Sequence, residues 1–171
     1  MPPIELKPAQ LTDLPAMQRI REAAFAPVFA SFRKILGDEI YELAQQREDL
    51  AQADLLATYL QSDSGWALYV AVAEDVAEDV AEDVVIGFIA IKPDPETYVG
   101  EIGLNAIDPA WAGRGFGLAM YELATQRLRD LGMKLAVVAT GGDISHQPAY
   151  MAYRKAGFNV EIPSTWMCKK L

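Results

Sequence analysis

Asp108-Pro-Ala-Trp-Ala-Gly113-Arg-Gly115-Phe-Gly117-Leu118 is the stretch on which the fold turns. It lies between an apolar, strand-like run at 99–107 and a helix-periodic run at 116–131. A strand therefore enters a glycine turn and leaves it as a helix. Glycines permit the bend and leave no side chain in front of the N–H groups. The first helical turn adds N–H groups without intrahelical partners and the positive end of the dipole. Together these form an anion site suited to a phosphate or pyrophosphate, and Arg114 offers a charge-assisted contact. A turn that needs glycine only for geometry explains the same residues. The dinucleotide fingerprint does not fit, because it needs glycine at Leu118 and an acid beyond the helix.

Working outward, 4–7 reads as a short strand. Thr12 or Asp13 then caps a helix with Pro15 in its first turn. Pro27 is expected to interrupt that helix, with a second helical stretch at 28–36 stopping at Gly37. Residues 39–59 read as one further helix. Residues 66–72 and 84–91 read as a hairpin whose connection holds Ala-Glu-Asp-Val three times over 73–84, expected as an exposed loop insertion. Beyond the glycine turn, 135–139 is short and wholly apolar, so it is expected to be central and buried. A helix at 145–156 and last strands at 158–162 and 165–169 complete the order. The order describes one mixed α/β layer structure over 1–171.

The 171 residues are 51% hydrophobic, a globular composition. The net charge of -9 disfavours nucleic acid and anionic membrane surfaces as partners. Each repeat copy carries one Glu and one Asp, so without two of them the charge is -5, and the acidity says little about a site. One cysteine, Cys168, and one histidine, His146, exclude a disulfide within the chain and argue against a metal site. The free thiol suits a reducing compartment. No stretch reads as a signal core or a bilayer span, so a soluble, cytoplasmic protein is expected.

The glycine stretch resembles the acyl-CoA pyrophosphate loop of the GNAT superfamily of N-acetyltransferases. A second block, His146-Gln-Pro-Ala149-Tyr-Met-Ala-Tyr153-Arg-Lys155-Ala-Gly157-Phe158, resembles that family's Asn-x-x-Ala…Tyr…Gly-Phe segment. The two blocks stand in family order, separated by one helix and one strand. The resemblance runs from about residue 66 to the end. It implies a GNAT-like α/β fold with a mixed, mostly antiparallel sheet, splayed where acetyl-CoA enters. It also implies acetyl transfer from acetyl-CoA, as cosubstrate and without a metal, to a primary amine of a small molecule or peptide. By the same resemblance, contacts to the cofactor run from Ala106 and Ile107 through Ala112, Gly113, Arg114, Gly115, Phe116, Gly117 and Leu118 to His146, Tyr153 and Lys155. A homodimer is left open. The chain departs from the family at Ala112, where Arg or Gln is usual, and at His146, which replaces the Asn. These departures motivate the rival reading, a CoA-binding sensor or interaction module without catalysis.

Amide formation needs a neutral amine, and freeing a lysine-like amine at pH 7 costs about 4.6 kcal/mol. Glu101, on the strand that leads into the glycine turn, is one candidate base, as in many family members. Its plain alternative is an exposed strand carboxylate. His146 is the second candidate, since an ordinary imidazole titrates near neutrality, and its plain alternative is a helix cap. The family places Tyr153 beside the CoA sulfur as general acid. An ordinary tyrosine giving its proton to a thiolate is uphill by about 2 kcal/mol, so hydrogen bonding to the thiolate is the expected role. Cys168 is expected to be a buried structural thiol. Phe25, Phe29, Phe32 and Tyr41 fit an acceptor pocket or plain core packing equally.

Overall fold

The computed structural model describes residues 3–77 and 80–171. Strands β1 (Glu5–Pro8), β2 (Ala67–Ala77), β3 (Val80–Asp94), β4 (Val99–Ile107) and β5 (Leu135–Val138) form one sheet in the order β1-β2-β3-β4-β5. Neighbours are antiparallel except β4 and β5, which are parallel. Helices α1 (Leu14–Leu36), α2 (Asp38–Ala44) and α3 (Gln46–Tyr59) precede β2. Helices α4 (Phe116–Asp130) and α5 (Gln147–Lys155) flank β5 in sequence.

Strand alternation sorts the apolar residues onto two faces. Leu68, Val70, Phe88 and Ala90 meet Met17 and Ile20 of α1 and Leu56 of α3. Ile89, Ile91 and Ile102 meet Met120, Ala124 and Leu128 of α4 and Tyr153 of α5. Phe88, Met17, Ile20, Met120 and Leu128 are fully buried, each contributing about 1.5–3 kcal/mol of transfer free energy.

Two features of β4 shape the site. It pairs with β5 only from Val99↔Leu135 to Ile102↔Val138, where β5 ends, and then runs on to Ile107 paired with β3 alone, so the two strands part. It also carries a bulge. Ile89↔Asn105 and Ile91↔Ile102 are partners, so two steps of β3 match three of β4. A Cβ on Gly103 would point at Trp66, and Leu104 packs with the α1–α3 core, so neighbours share one face. The bulge thereby turns Asn105 to the opposite face, where it meets α4 and α5.

Several elements differ from the sequence reading. Pro27 does not break α1; it is exposed, as is Ala23, whose carbonyl lacks the N–H that Pro27 does not have. The single helix expected at 39–59 is two, parted at Gln45, whose φ of -124° is not helical. The repeat at 73–84 is not simply a loop. Pairs from Ala73↔Val84 to Ala77↔Val80 extend the ladder, since a repeat of even length keeps each arm in the pleat, and only 78–79 lie outside the described residues. The strands expected at 158–162 and 165–169 do not form. Tyr150 and Arg154 instead hold Glu161, and Lys170 reaches Glu39. Val160, Ile162 and Met167 are therefore exposed, as is Cys168, which is not the buried thiol expected. For the same reason β5 is an edge strand with Leu135 and Val137 exposed, not a central one.

At the bulge, an alanine Cβ at Gly103 would lie 2.3 Å from the Trp66 ring, which stacks on Tyr59. Gly103→Ala is expected to destabilise the fold by about 1–3 kcal/mol, read as a lower urea midpoint with an unchanged slope.

Candidate active site

The glycine turn follows β4 directly. Asp108 is buried; its carboxylate accepts from the Ala110 amide at 3.0 Å and from Arg19 of α1 at 2.8 Å. The turn's start is thus tied to the helix on the far side of the sheet, a role the sequence reading gave to no residue. Gly113 and Gly115 have φ of +75° and +87°, so a side chain at either would strain the backbone. No atom comes within 4 Å of a Cβ placed on Gly113, so the space before it is open. The first α4 bond runs from the Ala119 amide to the Gly115 carbonyl. The amides of Phe116, Gly117 and Leu118 precede it and have no intrahelical acceptor. Phe116 is buried edge-on against Trp111. The Arg114 guanidinium lies 5.3 Å from the Trp111 ring and donates to the Ala110 carbonyl, leaving further donors for an anion. Ala112 is exposed, Ala106 is buried in the α1–α3 core and Ile107 is half-buried on the α4 side. This turn fits a pyrophosphate group.

Tyr153 sits where β4 and β5 part. The Asn105 side-chain amide donates to its hydroxyl at 3.0 Å, to the Gly103 carbonyl at 2.8 Å, and accepts from Tyr121 at 2.9 Å. The hydroxyl's own proton finds Asn105 Oδ1 only at 3.4 Å, too long to hold it. Burial raises the Tyr153 hydroxyl above its ordinary value, against the opposing pull of Asn105 and Tyr121. It therefore stays protonated at neutral pH. Asn105 and Tyr121 were missed in the sequence because only the bulge aims Asn105 at Tyr153.

Glu101 lies on the other face of β4. It is exposed and close enough to Tyr59 of α3 that its charge, after burial, helps raise that hydroxyl. Among the described residues no hydrogen bond or ion pair orients its carboxylate. His146 stands just before α5 and stacks on Phe32 of α1 with centroids 5.6 Å apart. Its Nδ1 lies 2.5 Å from Asp143 Oδ1. Asp143 Oδ2 accepts from the hydroxyls of Ser31 and Ser145, each at 2.6 Å. Lys155 is exposed at the end of α5. Phe29 and Tyr41 line a separate hollow of about 630 Å³ between α1 and α3, away from Tyr153. Among the described residues no helix is long and apolar enough to cross a membrane, and no acidic, His or Cys cluster could hold a metal ion.

A glycine turn that runs from a strand into a helix N-terminus offers unpaired amides to a phosphate-bearing ligand. The model of the acetyltransferase (GNAT) family matches residues 30–158, and the chain belongs to that family. A stretch of 64 residues is 38% identical to the mycothiol acetyltransferase of Cellulomonas flavigena. The match covers 37% of this chain and only 18% of that relative. The PaiA N-acetyltransferase of Thermoplasma acidophilum, solved with coenzyme A, superposes with a TM-score of 0.67 at 19% identity, over 95% of this chain and 93% of that one. AAC(6')-Iy, solved with a bisubstrate analogue, superposes with a TM-score of 0.58 at 17% identity, over 99% of both chains. These likenesses fix the fold, including the mostly antiparallel sheet.

Burial opposes ionisation of Asp143, but hydrogen bonds from Ser145, Ser31 and His146 outweigh it and hold the carboxyl well below its ordinary range. A group depressed on folding adds stability above its unfolded value, near 3.9, and loses it as the pH falls towards its folded value. Asp143→Asn is therefore expected to cost about 1–3 kcal/mol at pH 7, with the gap to wild type narrowing below about pH 4 in pH-resolved urea melts.

Proposed function

We propose that the protein transfers an acetyl group from acetyl-CoA to a primary amine, on a small molecule or a peptide, by direct transfer in a ternary complex. The observation that carries this reading is Tyr153, held by Asn105 in the gap between β4 and β5, one helix from an open glycine turn. The PaiA N-acetyltransferase among the structural relatives supports it, as does the acetyltransferase in the partial sequence match.

Bound acetyl-CoA supplies the acetyl group: the amine nitrogen bonds to its carbonyl carbon, the C–S bond breaks, the sulfur takes up a proton, and one ammonium proton is released in net. The α4 amides and Arg114 hold the pyrophosphate against the helix dipole. The net charge of -9 makes this local site necessary for an anionic ligand. Glu101 or His146 accepts the ammonium proton, directly or through water. Tyr153 donates a hydrogen bond to the departing sulfur. Because burial raises its hydroxyl, it stabilises the thiolate while the proton arrives through water. Holding both reactants in one gap removes the entropic cost of their encounter.

Titration calorimetry with acetyl-CoA, CoA, ATP and NAD tests the ligand, followed by a screen of primary amines. Selective binding of acetyl-CoA and CoA with turnover of an amine is the expected result. CoA binding without turnover would favour the sensor reading, and no CoA binding by folded protein would remove both. Tyr153→Phe is expected to lower kcat about 10²-fold with acetyl-CoA affinity nearly unchanged. Arg114→Ala should instead weaken acetyl-CoA binding by about tenfold.

A further inference from the structure

His146 is the chain's only histidine, and its surroundings exceed what a cap requires. Asp143 caps the short turn Ile144–His146 through the Ser145 amide, at 3.1 Å, and that contact alone would suffice. Three further donors converge on the same carboxylate: the Ser145 hydroxyl, His146 Nδ1, and Ser31 of α1 from 112 residues away. Phe32, next to Ser31, covers one face of the imidazole. A Cβ on Gly141 would lie 2.4 Å from Nδ1, so the backbone closes on that edge of the ring. Asp143 is the one charged group in contact with the ring among the described residues; α1 presents only the Ser31 hydroxyl and Phe32.

We propose that Asp143 is a positioning residue for acetyl transfer, holding the His146 imidazole with Nδ1–H towards its carboxylate so that Nε2 takes the proton of the acceptor amine. The inference rests on the acetyl-transfer reading above. An ionised carboxylate only accepts hydrogen bonds, so Nδ1 carries the proton of the neutral ring and Nε2 keeps its lone pair. Nε2 has no hydrogen bond among the described residues. His146 is the N-cap of α5 and Tyr153 lies seven positions on, about two turns along the helix, which places His146 at the start of α5, about 10 Å from Tyr153 along its axis. Tyr153 meets Asn105 of β4, and His146 meets Phe32 of α1. The ammonium proton moves to Nε2, and the N–H electron pair stays on nitrogen as the lone pair that attacks. Nε2 later returns the proton to water, and Asp143 remains ionised throughout. Among the described residues Glu101 has no such orienting partners.

The single histidine makes the test direct. Long-range ¹⁵N–¹H NMR of the wild-type imidazole at high pH should show the Nδ1–H tautomer, and Asp143→Asn should shift the tautomer balance. With acetyl-CoA and the primary amine turned over best in the screen, Asp143→Asn and His146→Gln should each lower kcat/KM by about 10²-fold or more, with KM for acetyl-CoA within about twofold. The double variant should be no worse than His146→Gln, as for residues that act as a unit. Asp143→Glu should restore part of the loss. Assays run well below each variant's melting temperature keep stability apart from chemistry. An Nε2–H tautomer in the wild type, activity within twofold in Asp143→Asn, or additive losses in the double variant would each overturn the dyad. Transfer that survives both single substitutions removes the dyad and leaves the acetyl-transfer reading standing, whereas no transfer by the wild type removes both.

Discussion

The parting of β4 from β5 is the constraint on which the rest of the molecule depends. A nine-residue strand lies beside a four-residue one, and the parallel ladder ends at Ile102↔Val138. Beyond that point the free edge of β4 borders a gap rather than a strand, and its backbone polar groups need other partners. The Asn105 side chain meets one of them, the Gly103 carbonyl, and in doing so holds two tyrosine hydroxyls. The glycine turn follows the end of β4 and leads into α4.

The bulge in β4 divides the work between the two faces. Without the extra residue, Asn105 would share a face with Glu101 and Gly103 and could not reach Tyr153. With it, the carboxylate faces the α1–α3 side and the tyrosine network faces α4 and α5. Trp66 fills the place that a side chain at Gly103 would take, so the bulge is fixed by packing as well as by register.

Helix α1 joins the two halves of the site. Arg19 grips Asp108 at the start of the glycine turn, and Ser31 and Phe32 meet Asp143 and His146 ahead of α5. These contacts span 89 and 112 residues of sequence, yet they sit on one helix twelve residues apart. An uninterrupted α1 is what sets that spacing, which is why its passage through Pro27 matters to the site.

The sequence by itself determined the α/β class, the order of most elements, the glycine turn and the spacing of His146 from Tyr153. These rest on local signals: hydrophobic period, glycine clusters and fixed offsets along one helix. It also sufficed to name Glu101, Arg114 and Tyr153 as candidates. Only the tertiary structure decided which groups meet. Asn105, Tyr121 and Ser31 carry no local mark of their partners, because a bulge, a strand's free edge and a contact between α1 and the turn before α5 bring them together. The same limit explains the misread elements. Locally Pro27 carries only its cost to a helix, and the run at 135–139 only its apolar composition. The first depends on which side of a helix meets solvent, and the second on whether the residues after α5 come back to pair with β5.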